Sequence, residues 1–254
     1  MRHAGRTMKI GGLQKTSLID FPDMVSAVVF LQGCNLRCPF CHNPELVIPG
    51  RFAEPLDEAE FFAFLEKRKG RLDGVVISGG EPCVHADLAA FIRRIRALGF
   101  RVKLDSNGAR PDVLAALVGE KLLDFIAMDL KGEPDAYASY CGAPIAAGNI
   151  LESIAIVLSS GLPHEFRTTA VPGLHDVEKL LKLAELVKGA ELYAVQAFRP
   201  ELCLDPAFER LPRFDLAPVK AARASFEALV QRFEIRGGPD KEVETESHSL
   251  LRKN

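Results

Sequence analysis

No sign of charge predominates in this chain: 32 Lys and Arg stand against 34 Asp and Glu, for a net charge of −2 and a pI near 6.3. That balance excludes a global field that would draw nucleic acid or an anionic membrane. No apolar run approaches the roughly 18 residues that a membrane span requires. The amino terminus, Met1 to Lys9, is basic but lacks the apolar region of a signal peptide, and Met8 is an alternative start. A cytoplasmic location follows, where thiols stay reduced and clustered cysteines bind metal rather than pair. Nor does any Gly- or Pro-rich linker divide the sequence. It reads as one domain over residues 1–254, with a core at about 24–198 and a charged tail at about 241–254.

Against these absences stands one concentration. Three of the six cysteines fall in Cys34-Asn35-Leu36-Arg37-Cys38-Pro39-Phe40-Cys41, spaced C-x3-C-x2-C, directly after the apolar run Val25 to Leu31. Three thiolates can hold a metal centre while leaving one position open. The residues admit either an iron–sulfur cluster on three thiolates or a Cys3His zinc site using His42. Adjacent residues such as Cys41 and His42 rarely turn onto one ion, which favours the cluster. Cys83, Cys141 and Cys203 are solitary and read as small buried hydrophobes, although Cys83 follows Glu81-Pro82 closely.

The rest of the chain alternates apolar runs with helical periods. Strands are expected at 25–31, 73–78, 101–104, 123–128, 165–171 and 191–198, preceded by a hairpin or edge strand in 9–21 and followed by a short strand at 233–236. Helices are expected at 56–69 with Asp57 as cap, 86–98, from Pro111, 152–160, 176–188 and 218–232, whereas 44–55 reads as irregular. Six strands alternating with helices require an α/β fold with a parallel sheet and right-handed crossovers; periodicity leaves open whether that sheet closes.

Each chemically loaded cluster falls at the carboxyl end of an expected strand, the edge where such sheets bind ligands. The cysteines follow the first strand. Gly79-Gly80-Glu81-Pro82 follows the second, with glycines that allow close backbone approach and one carboxylate for an ammonium group. Asp105-Ser106-Asn107-Gly108 follows the third, and Asp129-Leu130-Lys131 the fourth. The two aspartates suit either turn formation or a hard-oxygen cation site. Lys131, two residues beyond Asp129 on extended chain, shares its face and can pair with it.

Together these residues resemble the radical S-adenosylmethionine enzymes, whose C-x3-C-x-aromatic-C signature is matched by Cys34, Cys38, Phe40 and Cys41 over a region of about 24–198. The resemblance implies a partial (β/α)6 TIM-like barrel and a [4Fe–4S] cluster on the three cysteines, with S-adenosylmethionine on the fourth iron. It implies that Phe40 packs near the adenine and that Gly79, Gly80 and Glu81 bind the methionyl amino group. Cys41-His42-Asn43, the Asp105 segment and the Asp129 segment are similar to glycyl-radical enzyme activases. By that similarity Asp105 and Asp129 hold a monovalent cation, and Lys131 and Arg167 contact the cofactor. Residues Gly11 to Pro22, with Phe198-Arg199-Pro200, most resemble the activating proteins of anaerobic ribonucleoside-triphosphate reductase. Gln196 stands where formate-lyase activases carry a histidine.

The activity so implied is reductive cleavage of S-adenosylmethionine to a 5′-deoxyadenosyl radical, which generates a glycyl radical on a partner enzyme. Flavodoxin or ferredoxin is the implied electron donor. Two other readings stand beside it: radical modification of a small nucleotide-like molecule, and a non-catalytic zinc module.

Overall fold

The computed structural model describes residues 7–237. They form one eight-stranded sheet whose spatial order is the chain order. Strand β1 (Ile10–Ser17) is an antiparallel edge on β2 (Ser26–Leu31). From β2 onward every pair is parallel: β3 (Gly74–Gly79), β4 (Arg101–Ser106), β5 (Phe125–Asp129), β6 (His164–Ala170), β7 (Tyr193–Ala197) and β8 (Phe233–Arg236). The parallel series thus has seven strands rather than the expected six, because the short run at 233–236 joins it. No ladder joins β8 to β1 among the described residues, so the barrel stays partial.

The helices follow in order: α1 (Pro44–Val47), α2 (Glu58–Arg68), α3 (Leu88–Ala97), α4 (Pro111–Gly119), α5 (Tyr137–Cys141), α6 (Ala147–Ser159), α7 (Val177–Leu186), α8 (Ala217–Ala221) and α9 (Arg223–Glu227). Asp57 caps α2 by accepting from the Ala59 and Glu60 amides, as its position predicts. Three expectations need correction. Segment 44–55 contains the short helix α1. Helix α6 begins at Ala147, five residues earlier than the reading from Glu152. The single helix expected at 218–232 is two short ones, parted at Ala222. The tail at 241–254 lies outside the described residues.

The outward face of the sheet carries Val75, Ile77, Val102, Leu104, Ile126, Phe166 and Val195, packed in one core with the apolar stripes of the helices. The inward face differs. Phe21, from the turn after β1, packs on Val28, Val76, Phe125 and Ala127 and closes the floor of the barrel. Interleaved with these apolar residues is a charged set. In register, Asp105 pairs with Ala127 and Ala127 with Glu165, while Asp129 pairs with Arg167. Lys103, Asp105, Asp129, Glu165, Arg167, Glu234 and Arg236 therefore share one concave surface, because period-two alternation puts them on the same face. The floor plug joins the charged set as well, since Lys103 donates to the Asp20 carbonyl at 2.5 Å.

Candidate active site at the cysteine loop

The cysteine loop leaves β2 at the carboxyl edge of the sheet, and the other strand ends are bonded to it. Gly80 donates its amide to the Leu31 carbonyl at 2.9 Å, Glu81 to the Gly33 carbonyl at 2.8 Å, and Gly33 to the Leu46 carbonyl at 2.7 Å. A side chain at Gly80 would drive a Cβ well inside 3.0 Å of the Gly33 carbonyl. The glycine is therefore required by close approach of two loops. Gly79 has φ of +121°, which favours glycine for a second reason.

Glu81 is 1% exposed and accepts three hydrogen bonds from its own chain. Its Oε1 takes the Ser106 hydroxyl at 2.9 Å and the Cys83 amide at 3.0 Å, and its Oε2 takes the Asn107 amide at 2.6 Å. Of about four acceptor positions on a carboxylate, one is left for an incoming ammonium. The main use of this glutamate is thus to tie the end of β3 to the end of β4. Asn107 continues the stitching, donating to Asn35 Oδ1 at 2.9 Å and approaching the Cys34 Sγ at 3.9 Å. Burial raises the Glu81 pKa against the three donors.

All three loop thiols are free. Burial pushes Cys34 up to about 11 and Cys38 up to about 12, and raises Cys41 as well. Iron must displace these protons, since the thiolate is the ligand. Three thiols without a fourth side-chain ligand are the donor set of a cluster that keeps one iron open. His42 turns its Nε2 to the Arg199 carbonyl at 2.7 Å and stacks on Phe198, so the Cys3His zinc set is not assembled.

Phe40 is buried and lies against Phe208, with ring centroids 6.4 Å apart. Phe208 belongs to the connection after β7, which is also bonded to the loop through the Asp205 amide and the Pro39 carbonyl at 2.9 Å. The solitary cysteines are buried too, but they ring the same region. The Cys141 carbonyl accepts from the Arg37 amide at 2.8 Å, and Cys83 Sγ lies 3.6 Å from Ser106 Oγ.

The charged wall begins beside the loop. Arg167 sits between the two aspartates, with Nε 2.8 Å from Asp129 Oδ1 and Nη1 3.5 Å from Asp105 Oδ2. Lys131 Nζ contacts Asp129 Oδ2 at 3.2 Å, the pairing that its spacing predicts. Lys103 Nζ lies 3.4 Å from both Asp105 and Glu165, and Arg236 reaches Glu165 at 2.8 Å. Burial alone would raise Asp129, but Arg167 and Lys131 outweigh it and hold the carboxyl well below the usual range. The same balance, with Arg167, Lys103 and Arg236, keeps Glu165 at about 2. The aspartate pair expected to hold a monovalent cation already faces an internal guanidinium. Asp105 Oδ1, 3.4 Å from Lys103 Nζ, keeps no hydrogen-bond partner, so one buried carboxylate oxygen of the pair stays open beside the guanidinium.

Lys103, Glu165, Glu234 and Arg236 line the same wall, and motif reading passes over them. Their signal was charge at every second position inside short strands, as in Arg101-Val102-Lys103-Leu104-Asp105 and His164-Glu165-Phe166-Arg167. Gln196 lies on the same inward face, in register with Thr169 and Arg236.

A model of the Radical SAM superfamily matches residues 28–187, from within β2 through α7. The chain belongs to this superfamily. A Methanocaldococcus jannaschii protein assigned as a glycyl-radical enzyme activating enzyme is 36% identical over 212 residues, covering 80% of this chain and 85% of that one. The pyruvate formate-lyase-activating enzyme of Streptococcus mutans is 31% identical over 182 residues, 63% of this chain and 65% of its own. A Thermococcus kodakarensis protein assigned as GTP 3′,8-cyclase is 27% identical over 192 residues, 74% of this chain and 62% of its own. Among solved structures, Streptococcus suis SuiB bound to S-adenosylmethionine aligns with a TM-score of 0.63 at 15% identity, covering 84% of this chain and 50% of that one. QueE of Escherichia coli aligns with a TM-score of 0.54 at 13% identity, covering 91% and 94%. At those identities the structures establish the shared fold, a partial barrel of the radical SAM type.

Proposed function

We propose that this radical SAM protein is a glycyl-radical enzyme activase. Cys34, Cys38 and Cys41 would hold a [4Fe–4S] cluster. Residues Gly79 to Glu81 and the Asp129–Lys131 segment would hold the amino acid end of S-adenosylmethionine, with Phe40 at the adenine and Arg167 in reach. When bound, the reduced cluster supplies one electron to the sulfonium and so a 5′-deoxyadenosyl radical. The protein's own contribution is orientation and exclusion of water: loops bonded rim to rim, and a floor sealed by Phe21.

The observation that favours a protein substrate is the charge balance of the barrel interior. Four basic groups (Lys103, Lys131, Arg167, Arg236) face four acidic ones (Asp105, Asp129, Glu165, Glu234), and each basic group contacts a carboxylate of the same wall. A nucleotide substrate needs cations for its phosphates, whereas each cation of this wall already contacts a carboxylate and two of them, Lys131 and Arg167, are assigned to the cofactor. The Cα of a glycine in a peptide loop carries no charge and makes no such demand.

Anaerobic ribonucleoside-triphosphate reductase is the partner proposed, with flavodoxin or ferredoxin as donor, on the resemblance of Gly11 to Pro22 and Phe198 to Pro200. Residues of the first stretch build β1 and the floor plug, so they mark a subfamily through its scaffold. The test is anaerobic reconstitution with iron and sulfide, reduction, and addition of S-adenosylmethionine with candidate partners. A glycyl-radical signal on one of them is expected. Cleavage of S-adenosylmethionine coupled to consumption of a nucleotide, with no radical on any partner, would move the small-molecule reading ahead.

A further inference from the structure

Lys131 stands just beyond the end of β5, where the ladder no longer satisfies its backbone. Two buried side chains from other elements do so instead. Its amide donates to the Tyr137 hydroxyl oxygen at 3.1 Å, and that hydroxyl in turn donates to the Asp129 carbonyl at 3.4 Å. Its carbonyl lies 3.1 Å from His175 Nε2. The Val171 amide donates to His175 Nδ1 at 3.1 Å, so Nδ1 is the acceptor and Nε2 carries the hydrogen given to Lys131. Burial holds His175 down at about 4, which keeps this neutral tautomer at working pH. Tyr140 completes the enclosure, its ring 5.2 Å from His175 and against Gly132, where any side chain would collide with it.

From this geometry we infer that Tyr137 and His175 are positioning residues, a two-point backbone clamp that aims the Lys131 ammonium at the cofactor beside Asp129. The inference rests on the reading that Lys131 faces the cofactor. Neither clamp residue lies in the cysteine loop or at a strand end that motif reading would examine. His175 sits 44 residues from its partner, on the turn between β6 and α7.

The test uses the reconstituted holoenzyme and titrates S-adenosylmethionine against the spectral change of the reduced cluster. Tyr137→Phe and His175→Leu each remove one hydrogen bond to the Lys131 backbone along with a second, to Asp129 or from Val171, and should each weaken cofactor binding about five- to tenfold. Iron content should stay at the wild-type level. His175→Gln, whose amide can still donate to the Lys131 carbonyl, should recover most of the affinity. In a Lys131→Met background Tyr137→Phe should have no further effect, because coupled residues are non-additive. An undiminished effect there would overturn the clamp, as would wild-type affinity in Tyr137→Phe. Unchanged affinity in Lys131→Met alone would instead overturn the placement of Lys131 at the cofactor.

Discussion

Replacing Gly80 by alanine adds one methyl group at the place where the turn after β3 presses on the cysteine loop. The added Cβ would fall well inside 3.0 Å of the Gly33 carbonyl oxygen and carbon, and 3.1 Å from the Leu46 carbonyl oxygen. All three are backbone atoms, so no flexible side chain can yield. The φ of Gly80 lies outside the left-handed region, so the cost is steric alone. Overpacking of this kind costs about 1–3 kcal/mol. Separating the loops also strains the Glu81 amide bond to Gly33, worth about 1 kcal/mol. The expected loss is about 2–4 kcal/mol, less than the typical stability of a domain, so the variant should fold. Urea unfolding of the apoprotein measures the loss, and iron and sulfide content after reconstitution measures the damage to the cluster site. Gly148→Ala, where nothing lies within 4 Å, serves as the control and should be neutral or slightly stabilising. Wild-type stability and a full cluster in Gly80→Ala would refute the claim that these two loops form one rigid unit.

Three further outcomes are expected. Glu165 is buried and held at about 2 against an ordinary 4.5, so its ionisation contributes about 3 kcal/mol above pH 4.5, lost as pH falls towards 2. Glu165→Gln should therefore be destabilised at pH 7 by urea unfolding, and the gap to wild type should narrow on acidification; a gap independent of pH would contradict this. Because Arg167 occupies the aspartate pair, cofactor binding should not change when potassium and sodium are replaced by tetramethylammonium, while Arg167→Met should become dependent on a small monovalent cation. A wild-type protein that needs such a cation would overturn that reading. Cys38→Ala should abolish the cluster and Cys203→Ala should retain it, as iron content will show.

The strands were legible where apolar residues run unbroken, as in Val25 to Leu31 and Asp73 to Ser78, since a parallel strand is buried on both faces. Asp57 announced α2 by its cap. Helix α1 has four residues, too few to show a period. The split at Ala222 depends on how the chain turns into β8, which local propensity does not encode. At the site, the clusters at strand ends were legible because the chemistry concentrates unusual residues there. Two features were not. The three donors to Glu81 come from Cys83, Ser106 and Asn107, two of them 25 and 26 residues away. That Arg167 lies between the aspartates follows only from the register of β6 against β5. Contacts of that kind follow from sheet register, which the sequence fixes only through the whole fold.

Hydrogen abstraction from a glycine of a partner protein can be followed by isotope transfer. A candidate partner is prepared with Cα-deuterated glycine and incubated with the reduced holoenzyme and S-adenosylmethionine, and the 5′-deoxyadenosine is then analysed by mass spectrometry. One deuterium in the product is expected, in step with a radical signal on the partner. 5′-Deoxyadenosine formed without deuterium, with every candidate partner left radical-free, would contradict it.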